Sequence, residues 1–294
     1  MSKITVLSSS KKRITIGTNA GMFYPDQVVA VALISILEEE NEITIIRSND
    51  IEDLDECDYI VDFENSEFYD LNLSRLSGIA YADAGTTWGI YGNDIIYKLI
   101  YNSNLPCNLI TGDDIEELFH NIDDEVISVA DAMTNGDKCE NSFFKYLDTF
   151  YPLWFSKDLD YDKAFHEALL VTIPLLKQDF LNRISFISTF EEINFRVKDE
   201  NFFICNILEI PNIEFQWKPA VIEYNKTAEN GKKIHFIICK DVDDEWVAFS
   251  VPSSEYYENY LITFPAELVN RSIDLAELTD IDGALFCHKH YARA

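Results

Sequence analysis

The sequence predicts an α/β protein: a parallel-sheet domain over residues 1–157, then a helical connection and a smaller α+β domain over 158–294. Three observations carry this. Through the first half, short β-rich runs alternate with helical stretches, a spacing that calls for a parallel sheet with crossover helices. A long helical region, 158–190, follows. Beyond about residue 200 the pattern changes to closely spaced runs of β-branched and aromatic residues.

Taken in order, Ile14 to Thr18 is a short apolar strand. Asp26 to Glu40 follows as a mostly buried helix, with Val28, Val29, Val31, Ala32, Leu33, Ile36 and Leu37 apolar and Asp26 as its N-cap. Ile43 to Arg47 reads as a second strand, Asp50 to Glu56 as a short helix, and Tyr59 to Phe63 as a third strand. Val126-Ile127-Ser128-Val129 reads as a further strand, ending ahead of Asp131. Helices are expected over 86–101, 115–120, 140–150 and 158–190, the last interrupted near Pro174. In the second half, strands are expected at 202–208, 234–240 and 246–251, the last two joined by the polar hairpin loop Asp241 to Glu245. A helix near 275–278 and a strand at 284–287 complete the chain, which has no internal repeat.

Charge narrows the function classes. Lys plus Arg number 23 and Asp plus Glu 52, a net charge of −29. Non-specific affinity for nucleic acid comes from Lys and Arg displacing counterions, so this balance argues against DNA and favours basic partners. No apolar run reaches the ~18 residues of a membrane span, and a cytoplasmic protein is expected. The six cysteines are scattered without a CxxC pair and read as reduced thiols. Cys287, His288 and His290 adjoin an apolar run and read as strand residues rather than a metal cluster. The N-terminal segment has no acid before Asp26 and carries Lys3, Lys11, Lys12 and Arg13. It is basic and Ser-rich like a transit peptide, but the strand at Ile14 leaves too little length for one. It reads instead as a basic arm on an acidic body.

Three carboxylates attract attention. Asp62 ends the run Tyr59-Ile60-Val61, Asp131 follows Val126 to Val129, and Asp26 comes after the first strand. Ligands of parallel sheets bind beside the carboxyl ends of strands, so three acids there can form one hard-cation site. With 52 acids in 294 residues, their presence alone says little. A nucleophilic site has less support: Cys57 and Cys107 lack a nearby His, and Ser8-Ser9-Ser10 lacks an elbow glycine pattern.

The segment Ile16-Gly17-Thr18-Asn19-Ala20-Gly21-Met22-Phe23-Tyr24-Pro25-Asp26-Gln27 resembles the opening motif of the Myg (melanocyte proliferating gene) exonuclease family, a branch of the DHH phosphoesterases, which runs I-G-T-H-N-G-T-F-H-C-D-E. The resemblance continues at Ile60-Val61-Asp62, Ala84-Gly85, Tyr91-Gly92, Asp131-Ala132 and Asn135-Gly136. It runs on through Ala164-Phe165, Phe180-Leu181, Gln216-Trp217-Lys218 and Val251-Pro252 to Gly283-Ala284-Leu285-Phe286-Cys287-His288. It implies a DHH-phosphoesterase-like first domain and a metal-dependent 3′–5′ RNA exonuclease associated with ribosome production.

Against the family pattern, Asn19 and Tyr24 stand where metal-binding His residues belong, and Asp70-Leu71-Asn72 stands in place of Asp-His-His. Thr134 replaces a second acid in the Asp131 motif. Neutral amide and phenol groups are poor substitutes for imidazole on Mn²⁺ or Mg²⁺. Asp26, Asp62 and Asp131 remain, enough carboxylate to hold one residual Mg²⁺ or Mn²⁺. The expectation is a pseudoenzyme without cofactor, whose site positions are vestigial. A compact, motif-stripped member of this family resembles the microsporidian dormancy-factor type, which sits on inactive ribosomes. That implies a hibernation factor that blocks translation by occupying a functional site. Its contacts would be mainly with basic ribosomal proteins, and rRNA would be touched at Lys3, Lys11, Lys12 and Arg13. The enzyme alternative is an active exonuclease with a site rebuilt from Asp26, Asp62, Asp70 and Asp131. A third reading, nucleotide binding without hydrolysis at turns near Gly17, Gly21 and Gly85, lacks a phosphate-cradling loop.

Overall fold

The computed structural model describes residues 12–61, 74–103, 110–137, 142–155, 159–212, 215–254 and 259–268. The chain is mixed α/β and forms two compact units, Met1–Asn104 with Gly112–Asn182, and Leu105–Thr111 with Arg183–Ala294.

In the first unit, β1 (Arg13–Thr18), β2 (Glu42–Arg47) and β3 (Tyr59–Val61) form a parallel sheet in the order β2-β1-β3. Ile16 of β1 lies opposite Ile45 on one side and Tyr59 on the other. Parallel neighbours need crossovers, and α1 (Pro25–Leu37) supplies the one between β1 and β2. It is apolar nearly all round, and every residue from Pro25 to Ile36 is buried, as a helix enclosed on all sides requires. Its N-cap is Tyr24, not Asp26 as the sequence suggests. Pro25 has its φ preset for the first helical position, so the helix begins there and Asp26 falls in the first turn. The short helix α2 (Ile51–Asp55) precedes β3.

Helix α3 (Asp83–Asn102) packs on α1 and brings Trp88 into the core, fully buried. The Trp88 ring stacks on Phe119 with centroids 5.3 Å apart, and its indole N–H donates to the Phe119 carbonyl at 3.2 Å. Phe119 belongs to α4 (Gly112–Ile122), which runs through a π-turn, Asp123–Ile127, into α5 (Ser128–Thr134). The strand expected at 126–129 is therefore helical. A four-residue run cannot separate a strand from a buried helix, and here Ile127 and Ala130 extend the buried stripe of Ile115, Leu118 and Ile122.

Beyond α6 (Ser142–Leu147) comes α7 (Tyr161–Arg196), continuous through Pro174. The expected interruption is absent because Pro174 and its neighbours Leu170, Val171 and Leu175 are exposed. Water can serve the carbonyl that loses its N–H partner there.

The second unit has a four-stranded sheet in the order β4-β5-β6-β7, from β4 (Phe203–Ile204), β5 (Ile207–Glu209), β6 (Phe236–Lys240) and β7 (Trp246–Ser250). The single strand expected at 202–208 is instead a tight hairpin. Cys205 and Asn206 have φ of 51° and 67°, the paired left-handed residues that a two-residue turn needs. The hairpin between β6 and β7 falls where the sequence places it, with Asp244 at φ 64°. β5 and β6 are parallel, and their crossover is α8 (Trp217–Thr227), a helix the sequence reading passes over because Pro219 stands in its first turn. Trp217, Val221, Leu208, Ile237 and Val251 share the core of this unit. The helix expected near 275–278 and the strand at 284–287 lie outside the described residues.

Gly92 offers a test of the α3–α4 packing. A Cβ there would lie 2.7 Å from the Trp88 ring and 2.8 Å from the Phe119 ring. Glycine to alanine in a helix ordinarily gains about 1 kcal/mol, but overlap with the buried Trp88 ring and the half-buried Phe119 ring outweighs it. Gly92→Ala should lower stability by about 1–3 kcal/mol in chemical denaturation.

Candidate functional site

The candidate site gathers around the first turn of α3. The first N–H groups of a helix have no partner within it, and the N-cap here, Ala82, has no side chain able to accept from them. Two carboxylates from other helices do so. Asp26 of α1 accepts from the Asp83 N–H at 3.2 Å through Oδ2, and Asp131 of α5 accepts from the Gly85 N–H at 3.1 Å through Oδ1. Negative groups are favoured there by the helix dipole as well.

The remaining oxygens are also engaged. Thr134, standing where the family pattern has an acid, donates its hydroxyl to Asp26 Oδ1 at 2.6 Å. Arg75 donates through Nη1 to Asp131 Oδ2 at 2.8 Å, and forks onto Asp123 through Nε and Nη2 at 2.7 and 2.6 Å. Tyr81 lies over the guanidinium, 4.2 Å from ring centre to Cζ. Arg75 is delivered by a tight turn closed by the Ser74–Ala80 bridge, in which the Arg75 N–H donates to the Ile79 carbonyl and Gly78 has φ +87°. Gly85 is required by closeness: a Cβ there would stand 2.2 Å from Asp131 Oδ2 and 2.6 Å from Arg75 Nη2.

Burial sets the ionisation of the cluster. It raises Asp26 above the ordinary carboxylate value, opposed by the Thr134 hydroxyl and the Asp83 amide. It pushes Asp131 up to about 6, which Arg75 only partly offsets. Arg75 itself is pulled down by burial, but the hydrogen bonds and charges of Asp123 and Asp131 win and raise it. In this centre two carboxylates share one guanidinium.

The structure thus brings together Asp26 and Asp131 at one helix end, and it corrects the picture of acids at strand ends for Asp131, which lies on a helix. Asp62 and Asp70 lie outside the described residues. Asn19 is half-buried, and Tyr24 is exposed. Lys12 and Arg13 are exposed at the head of β1, where Arg13 faces Glu42 at 3.5 Å. Lys3 and Lys11 lie outside the described residues. Sequence reasoning missed Arg75, though a signal exists: it is the only basic residue between Arg47 and Lys98.

These features define an α/β protein with a buried carboxylate–arginine centre among helices α1, α3 and α5. The chain belongs to the family whose model, MYG1_exonuc, is described as an uncharacterised protein family (UPF0160) and matches residues 15–291. It is similar to the MYG1 protein C694.04c of Schizosaccharomyces pombe, 22% identical over 307 residues that cover 94% of this chain and 90% of the relative. It is also similar to the MYG1 exonuclease of Bos taurus, 23% identical over 312 residues, and to that of Homo sapiens, 22% identical over 308. Each alignment spans 93% of this chain, with 78% of the cattle protein and 79% of the human one. No solved structure matches the chain.

The expectation of a pseudoenzyme is corrected by these relatives. They carry the name of an exonuclease, so the chain belongs to a family that contains enzymes, and substitutions at Asn19, Tyr24, Leu71 and Asn72 do not take it out of that family.

The divalent ion that the family resemblance implies can be tested against the donors here. Among the described residues no group of three His, Cys, Asp or Glu is placed to hold a metal ion. Asp131 already pairs with Arg75, and Asp26 accepts from a hydroxyl and an amide. These donors do not fit the ion.

The raised Asp131 gives a signed pH dependence. A carboxyl whose folded value lies above its unfolded one stabilises fully below the unfolded value, near 3.8, and loses that contribution as pH rises through about 6. Relative to Asp131→Asn, the wild-type chain should therefore gain stability, on the order of 2 kcal/mol, as pH falls from about 7 to 4. Paired denaturant titrations across that range measure the difference, and charges elsewhere cancel in it.

Proposed function

We propose that this chain acts at the ribosome, binding a functional site there and lowering translation. The observation that supports this reading best is the division of charge. A chain of net charge −29 carries an exposed basic pair, Lys12 and Arg13, at the head of β1, next in sequence to Lys11. An acidic body repels rRNA within about one Debye length, ~8 Å at physiological salt, and attracts basic ribosomal proteins instead. RNA is then touched only where local charge reverses. Co-sedimentation with ribosomes from the same source is expected, with a salt slope of about 2–4 because each phosphate contact adds about 0.7–0.9. Exchange of Lys11, Lys12 and Arg13 for Glu should weaken it several-fold. Failure to co-sediment at low salt would refute the ribosomal reading.

Hydrolysis of RNA from the 3′ end is a second reading, favoured by the family match over residues 15–291 and by the exonuclease names of the cattle and human relatives. Asp26 and Asp131 are the described carboxylates it would draw on, with Asp62 and Asp70 of the same motif set. Labelled single-stranded RNA should then be shortened stepwise, and Asp62→Asn should abolish the shortening. Full-length RNA after prolonged incubation with either Mn²⁺ or Mg²⁺ would remove this reading and leave the first untouched.

A further inference from the structure

The cation that the family resemblance implies at this place would hold neighbouring carboxylates together by supplying positive charge. In this chain a guanidinium stands among them. Arg75 is 7% exposed, and the side chains of Asp123 and Asp131 are 11% and 0% exposed. Three of its nitrogens, Nε, Nη1 and Nη2, each donate to a separate carboxylate oxygen. A planar fork of fixed donors suits two carboxylates better than the point charge of a lysine. Its Nη1 lies 2.8 Å from Asp131 Oδ2 and takes the place where a Mg²⁺ approaching that oxygen from the same side, at its usual ~2.1 Å, would stand. Gly85 confirms how closely the group is fitted, since even a methyl group there would meet both Arg75 and Asp131.

We propose that Arg75 is the resident cation of this centre: its guanidinium balances Asp123 and Asp131 in place of a divalent ion, so the first unit holds its carboxylate cluster without metal. Arg75 is accordingly a positioning residue. It fixes Asp131 against the N-terminus of α3 and ties the 74–80 turn to α5 and the π-turn. The inference concerns the folded state; it is independent of the ribosomal reading and runs against a metal-dependent hydrolysis that would draw on Asp131.

Thermal melting of the full chain in chelator and in excess Mn²⁺, with elemental analysis of the purified protein, tests it. The wild type should melt at the same temperature in both and carry no stoichiometric divalent metal. Arg75→Ala leaves two buried carboxylates uncompensated, so its melting temperature in chelator should fall by roughly 10 °C. Part of that loss should return with Mn²⁺, the vacated space now taking an ion. Should Arg75→Ala fail to fold, the combined variant Arg75→Ala, Asp123→Asn, Asp131→Asn decides. With the charges gone it should fold, and it should melt alike with and without metal. The proposal is overturned if wild type loses stability in chelator or holds a stoichiometric ion. It is equally overturned if a folded Arg75→Ala ignores Mn²⁺, or if the combined variant is no more stable than Arg75→Ala.

Discussion

The first turn of α3 presents amide groups that its own residues cannot satisfy, and much of the first unit is arranged around meeting that demand. Asp26 reaches it from α1 and Asp131 from α5, so three helices distant in sequence are joined at one point. Charge buried there would be costly unless balanced, which is why a guanidinium must follow it inward. Arg75 in turn needs a turn tight enough to hold it and a glycine small enough to pass it. The requirements run in one direction: an uncapped helix calls for acids, acids for a cation, and the cation for Gly78 and Gly85.

That chain of dependence also gives meaning to a substitution that looks like simple loss. Thr134 stands where the family pattern has an acid. A further carboxylate beside Asp26 would repel it in a buried setting, whereas a hydroxyl donates to it. Family membership at 22–23% identity leaves room for such exchanges, provided the charges at the centre are rebalanced together.

Much of the architecture was legible in the sequence. The runs at Ile14, Ile43 and Tyr59, separated by one apolar and one acidic helical stretch, fix a parallel sheet because short strands of that spacing have no other compact solution. The Asp241–Glu245 loop announces its hairpin by composition. Other parts were not legible, for definable reasons. Val126 to Val129 carries no period long enough to choose helix over strand, and only the surrounding buried stripe decides. Pro174 is a helix breaker unless its turn faces water, and exposure is not written in the residue itself. Cys205-Asn206 makes a turn with little of the usual glycine signal. The site was half legible: Asp26 and Asp131 stood out, but an arginine whose role depends on two acids far along the chain does not. Its isolation among acids between Arg47 and Lys98 is the trace it leaves.

The π-turn at Asp123–Ile127 bears on how such a centre arises. From Asp123 to Asp131 an unbroken α-helix would turn through two full circuits and about 80° more, aiming the two carboxylates at different neighbours. The wide turn absorbs one residue, worth about 100°, and returns them to within about 20° of the same direction. One guanidinium can then serve both. In genetic terms the difference between a helix that scatters these acids and one that aligns them is a single codon, gained or lost in one stretch. One residue inserted within a helix is thus enough to bring two carboxylates onto one counter-ion while the fold stays the same.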